Sequence, residues 1–219
     1  GILTTDTRAK GSSVRFGDDM PITITGIAKG SGMIKPNMAT MLAYIATDAA
    51  LDDELLHLAL TLATEKSFNR ITVDSDTSTN DSVVLIATGA SGVSIDETSF
   101  DNFVEHLCKV FTDLAQSIIR DGEGATKFVS VVIESAASQA EALQVAYTIA
   151  ESPLVKTALS ASDPNWGRIL AAIGRSGVTD LDVNDVQLLL NSVLIADHGA
   201  RASTYSEEAG KAAMQPEDI

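Results

Sequence analysis

The chain has 219 residues, 45% hydrophobic and 21% charged, a balance that suits a packed globular fold and argues against intrinsic disorder. Its formal net charge of −15 and isoelectric point near 4.4 weigh against binding nucleic-acid phosphates or anionic membranes through bulk electrostatics. No apolar run approaches the roughly 18 residues of a membrane span, and a single cysteine, Cys108, rules out an intramolecular disulfide and fits a reducing compartment.

In chain order, residues 13–19 predict a turn between strands, and the alternation Ile22-Thr23-Ile24-Thr25 predicts a half-exposed strand. The resulting hairpin leads to Lys29 and a flexible Gly30-Ser31-Gly32 turn. A Pro36-Asn37 corner follows, immediately upstream of Ala39 and Thr40. The apolar run from Thr40 to Ala46 predicts a buried strand that starts at the threonine. Leu51 to Phe68 predicts a helix carrying Leu55, Leu58, Ala59, Leu62 and Ala63 at helical spacing. Asp52, Asp53 and Glu54 fall in its first turn, where the helix dipole favours anions. His57 lies on this helix with no partner at metal spacing.

Asp74, Asp76, Ser78 and Asn80 alternate as the early ligands of a calcium loop do. The pattern then fails, because Thr79 stands where glycine is needed and Leu85 where a bidentate glutamate is needed. The better reading is a polar loop whose side chains hydrogen-bond main chain. Val83 to Ala87 predicts a buried strand. Thr98 or Ser99 is positioned to cap a long helix with Phe100, Phe103, Val104, Leu107, Phe111, Leu114 and Ile118 on its core stripe. Cys108 falls within that apolar pattern as a structural thiol. After Arg120-Asp121-Gly122, Glu123 stands between two glycines, ahead of an expected strand over Phe128 to Ile133.

Composition changes near Ser135. Helices are predicted over Ser138 to Ile149, from Ser152-Pro153, and over Asn165 to Arg175, with proline in the tolerated first turn of the second. One β-rich segment over Val186 to Ile195 and a short polar helix over Ser206 to Met214 complete the chain. The expected class is α/β. The expected division is a larger domain over residues 1–134 and a smaller, incomplete α/β domain over 135–219.

Five blocks together resemble one family. They are the opening Gly1-Ile2-Leu3-Thr4-Thr5-Asp6-Thr7, the run from Lys29 to Leu42 (KGSGMIKPNMATML), Asp74 to Asp81, Asp121 to Lys127, and Asp163 to Ile169. In this order they resemble the ornithine acetyltransferases, the self-cleaving enzymes of arginine biosynthesis. The resemblance implies layered mixed β-sheets flanked by helices. It also implies a polypeptide that begins before Gly1, where a Thr-Gly pair forms an oxyanion hole, and continues past Ile219 into a tail supplying an Asn and a Thr. On that expectation this is an internal portion of the enzyme.

The chemistry implied by the resemblance centres on Thr40. A threonine hydroxyl is a poor nucleophile without a base. As the first residue of a chain, its own α-amine, which ordinarily titrates at roughly pH 7.7 to 8, can take the proton. The Ala39-Thr40 bond would therefore break first, by self-cleavage into residues 1–39 and 40–219. The resemblance further implies that Thr4, Lys29, Thr40 and Glu123 contact substrate. The acetyl group of N-acetylornithine would pass through an acetyl-threonine to glutamate, with no metal or cofactor and with acetyl-CoA as an optional donor. The two products would associate, as a heterotetramer, in the cytoplasm or a mitochondrial matrix. Spacing alone also fits blander readings: Lys29 as a surface lysine, Thr4 as a strand-edge hydroxyl, Glu123 as a solvated loop charge. The competing functions are a related self-processing aminopeptidase and a non-catalytic fragment that keeps the fold.

Overall fold

The computed structural model describes residues 2–35, 41–77 and 80–219. They form a mixed α/β protein with two compact units, Gly1–Gly124 and Ala125–Ile219. The break falls earlier than the division expected after residue 134.

The first unit is built on a four-stranded sheet in the order β1-β2-β3-β4. Strand β1 (Lys10–Phe16) turns back as β2 (Ile22–Lys29), so the hairpin turn is shorter than expected and residues 13–16 are ladder, with Phe16 opposite Ile22. Along β2 the side chains alternate, burying Ile22, Ile24 and Ala28. Strand β3 (Leu42–Thr47) runs antiparallel to β2, with Leu42 opposite Lys29. Helix α1 (Asp53–Lys66) then crosses over to β4 (Ser82–Ala87), which pairs parallel with β3, as the length of a crossover helix requires.

The Asp52 carboxylate caps α1 by accepting the Leu55 N–H at 2.8 Å. Ala59 and Ala63 are its fully buried positions, whereas Leu58, expected on the core stripe, is 46% exposed. Two alanines on the inner face let the helix sit close, and the contacting stripe runs through Leu55, Leu56 and Leu62 instead. His57 is exposed.

Helix α2 (Phe100–Arg120) supplies more of the first unit's core than any other element. Every residue of its predicted stripe is buried, and the helix lies over β1, β2 and α1. Ser99 holds the N-cap position without making a side-chain cap. The acceptor comes from Asp96, whose carboxylate takes the Thr98 and Ser99 N–H groups, both at 3.0 Å. The Thr98 hydroxyl first, then Ser99, hold the Asp96 carboxyl down to about 2. Cys108 is half-buried on α2, and burial pushes its thiol up against the opposing pull of Lys66.

In the second unit α3 (Gln139–Ala150), α4 (Pro153–Ser160) and α5 (Trp166–Gly174) enclose Val145, Ile149, Val155, Ala172 and Ile173. Ser138, Ser152 and Asn165 cap them, and Pro153 opens α4. The single β segment expected over Val186 to Ile195 is two strands, β5 (Leu188–Leu190) and β6 (Val193–Asp197), joined at Asn191. Asn191 takes φ 51°, a left-handed conformation that asparagine tolerates and that apolar periodicity does not reveal. A short β7 (Ala200–Arg201) and α6 (Glu207–Ala213) cover the second cluster, with Ile195 and Met214 at its centre.

The strand expected over Phe128 to Ile133 does not form. Only Phe128 bridges to Asp218, with Ser130 N–H on the Ile219 carbonyl at 2.7 Å. Val131 and Ile133 instead pack against the cluster enclosed by α3, α4 and α5. No helix among the described residues is long and apolar enough to cross a membrane.

At Gly26 the side chains of α2 press on the sheet: a Cβ there would meet Leu114 Cδ1 at 2.8 Å, and Ile45 Cγ1 of the neighbouring strand at 2.9 Å. Gly26→Val is therefore expected to destabilise the protein by about 1–3 kcal/mol through overpacking. Urea unfolding measures this, and an unchanged midpoint would mean that the helix stands further off.

Candidate functional site

A lysine at the start of β1 is shut inside the first unit. The Lys10 side chain is fully buried, its Nζ donating to Asp6 Oδ1 and, at 2.5 Å, to Asp121 Oδ2. Asp121 is the C-cap residue of α2 and also accepts the Thr7 hydroxyl and the Thr7 N–H, the latter at 3.1 Å. Burial pushes the Asp121 carboxyl up, but the Lys10 and Thr7 bonds outweigh it, leaving the carboxyl below its ordinary value. Asp6 Oδ2 is buried without a hydrogen-bond partner among the described residues, and the one buried cation of the cluster is Lys10, with the exposed Arg8 Nε 3.9 Å from Asp121 Oδ1 at its edge.

From the cluster two bonds run to the turn that follows β2. Asp6 Oδ1 accepts the Gly30 N–H at 2.8 Å, and Thr5 Oγ1 lies 2.7 Å from Ser31 Oγ. On the other side the Glu123 N–H donates to the Ser31 carbonyl at 2.8 Å. The Glu123 carboxylate rests on Gly32, where a Cβ would come within 2.9 Å of Oε1. Gly32 thus keeps room for that carboxylate. The opening segment, the Gly30-Ser31-Gly32 turn and the end of α2 meet here although they are far apart in sequence.

Beyond the turn, the Asp74 carboxylate accepts the Met33 N–H at 2.5 Å and the Ile34 N–H at 3.1 Å. Asp81 Oδ1 accepts the Met41 N–H. Burial raises the Asp81 carboxyl, while the Met41 N–H and the charge of Lys29 pull it down. Asp74 and Asp81 therefore spend their carboxylates on main-chain N–H groups, as the polar-loop reading expects. Among the described residues no three His, Cys, Asp or Glu side chains gather in a way that could hold a metal ion.

Lys29 is 8% exposed at the end of β2, which corrects the surface-lysine reading: the ladder to Leu42 and the packed turn enclose it. Glu123 is exposed at the turn, and Thr4 is exposed beside the anchored Thr5. Ala39 and Thr40 lie outside the described residues. Around the turn the fold thus gathers Lys29, Glu123 and the segment bearing Thr4. The sequence reading missed Lys10, and saw Asp6, Thr7, Ser31 and Asp121 only as members of motifs. No local pattern separates a buried lysine from an exposed one.

Lys10→Met is expected to cost about 3–5 kcal/mol, since it leaves the buried Asp6 carboxylate without a cation and Asp121 with only the exposed Arg8 guanidinium, 3.9 Å away. Because the folded Asp121 carboxyl sits below its usual 3.8, its contribution is present above pH 3.8 and lost as pH falls through the lower folded value. Chemical unfolding of parent and variant at neutral pH and below that value measures both effects. Equal stabilities at neutral pH would contradict the assigned charge balance.

The family model described as the ArgJ family matches residues 1–219. The chain is 54% identical over 224 residues to the arginine biosynthesis bifunctional protein ArgJ of Pseudomonas fluorescens (strain Pf0-1). It is 52% identical to the protein of the same name from Neisseria meningitidis (strain Z2491). Each alignment covers 100% of this chain and 55% of the relative, so the chain spans about half the length of the curated relatives it matches. Among solved structures it is similar to the arginine biosynthesis bifunctional protein argJ of Bacillus halodurans. The TM-score is 0.77 at 40% identity, covering 82% of this chain and 84% of that one.

Proposed function

This chain belongs to the ArgJ family, and from that membership we propose that it carries the nucleophile of a self-cleaving acetyltransferase of arginine biosynthesis. The observation that carries the proposal is the turn after β2. It holds a buried ammonium, Lys29, on one side and a carboxylate, Glu123, against Gly32. Those two charges complement an α-amino acid, whose carboxylate would pair with Lys29 and whose ammonium with Glu123. Thr4, on the segment anchored by Thr5, lines the same site in this reading.

In the first step the Thr40 hydroxyl attacks the Ala39 carbonyl carbon. The acyl group shifts from the Thr40 nitrogen to its oxygen, and water hydrolyses the ester, leaving an Ala39 carboxylate and a free Thr40 α-amine. That amine then takes the hydroxyl proton as Thr40 attacks the acetyl carbonyl of N-acetylornithine, and returns it to the departing ornithine nitrogen. The amine of glutamate attacks the acetyl-threonine in turn, so one site serves both half-reactions. No metal or cofactor enters these steps, and acetyl-CoA is an alternative acetyl donor. The two cleavage products stay together and assemble as a heterotetramer in the cytoplasm, or in the matrix of a mitochondrion.

Intact-mass measurement on the denatured full gene product is expected to give two pieces from the parent, divided between Ala39 and Thr40, and one from Thr40→Ala. Acetyl transfer to glutamate should fall by about a thousandfold or more in that variant. A parent that stays whole favours the non-catalytic fragment. Cleavage accompanied by acyl release to water and no transfer to glutamate favours the aminopeptidase. Glu123→Gln is expected to raise the KM for the amino-acid substrate by about 10- to 100-fold, with a smaller change in kcat, through loss of a charged hydrogen bond. Steady-state kinetics would show it, and an unchanged KM would remove Glu123 from the site.

A further inference from the structure

Two glycines stand in the turn after β2 for different physical reasons. Gly30 has φ 146°, a backbone conformation that residues with a side chain rarely adopt. Gly32 lies outside the left-handed region, so its backbone would accept alanine. What alanine would disturb there is a single group. The three atoms nearest to a Cβ at position 32 all belong to the Glu123 carboxyl, with Oε1 at 2.9 Å, Cδ at 3.0 Å and Oε2 at 3.3 Å.

The main chain that carries this carboxyl is held and cannot yield in its place. The Glu123 N–H donates to the Ser31 carbonyl at 2.8 Å, and the Gly122 N–H to the Ile119 carbonyl at 3.1 Å. Gly122 itself is packed so closely that a Cβ would stand 3.0 Å from the Ile119 carbonyl oxygen and 3.2 Å from Val73 Cγ2. One residue earlier, Asp121 is held by Lys10 and Thr7. The movable part is therefore the Glu123 side chain, which is exposed and has several staggered conformations open to it. The bare face of Gly32 is the surface against which one of them rests. A methyl group at position 32 would close that place and turn the carboxylate toward solvent.

We infer that Gly32 is a positioning residue for substrate binding: by lacking a side chain it sets where the Glu123 carboxylate stands, and through it how tightly the ammonium of an amino-acid substrate is held. The inference rests on the amino-acid site proposed above. A charge-assisted hydrogen bond needs a short distance and good alignment, so a displaced carboxylate keeps its charge and loses the bond. Because the carboxylate holds the substrate and does not react, the loss falls on affinity and spares the chemical step.

The test is steady-state acetyl transfer by the full gene product, for the parent, Gly32→Ala, Glu123→Gln and the double variant, with thermal unfolding of each. Gly32→Ala is expected to raise the KM for the amino-acid substrate by about tenfold while kcat stays within about twofold, at the parental melting temperature. In the double variant the methyl group should add less than about twofold to the KM of Glu123→Gln, since both changes remove one and the same interaction. A parental KM in Gly32→Ala, a loss carried by kcat, or separate effects that multiply in the double variant each overturn the inference. So does a Gly32→Ala that fails to fold, because the methyl group would then be meeting something less yielding than the end of one side chain. An impaired Glu123→Gln beside an unaffected Gly32→Ala leaves the site reading standing and removes only the role of Gly32. A Glu123→Gln with the parental KM, or a parent without transfer activity, overturns both.

Discussion

One ammonium shared between two carboxylates is the constraint on which the first unit depends. Lys10 can reach Asp6 and Asp121 together only when β1 has begun, the opening segment has folded over it and α2 has ended in place. Stripping water from three charged groups offsets most of their mutual attraction, so such a cluster contributes geometry more than net stability. The geometry reaches the turn after β2 directly, because Asp6 also binds the Gly30 N–H and Thr5 touches Ser31. The Lys10 cluster is thereby joined to the turn between Lys29 and Met33.

The acidic excess of the chain takes on a different meaning in this light. From composition, a charge of −15 reads as a solubilising surface. A good part of it is spent on main-chain amides that lack a ladder partner. Asp48 accepts the Thr23 N–H, Asp52 caps α1 and Asp96 serves the start of α2. Asp6, Asp74 and Asp81 do the same around the turn. An amide that leaves regular structure must find an acceptor, and a carboxylate is the strongest available. The loops of the candidate site are thus held by their acids.

Packing follows a similar division of labour. Helix α2 supplies bulk, with Phe103, Phe111 and Leu114 fully buried, while Gly26 on the sheet and Ala59 and Ala63 on α1 supply closeness. Large groups on one element need small ones opposite if the layers are to interdigitate without voids. The stacking of Phe16 on His106, centroid to centroid at 3.9 Å, extends the contact between β1 and α2 toward the surface.

By itself the sequence determined the elements whose signal is local and repeated. The α2 stripe, the helix starts at Ser138, Ser152 and Asn165, and the failure of the calcium pattern all follow from spacing over a few residues. The five motif blocks determined the family in the same way, residue by residue. Only the tertiary structure decided that Leu58 stays outside the core, that residues 128–133 form no strand, that Asn191 breaks a β segment in two, and that Lys10 and Lys29 are buried. The meeting of Thr5 with Ser31, Lys10 with Asp121 and Ser31 with Glu123 joins positions separated by dozens of residues or more. Periodicity reports which face of an element is apolar, and it is silent about which distant group will be waiting there.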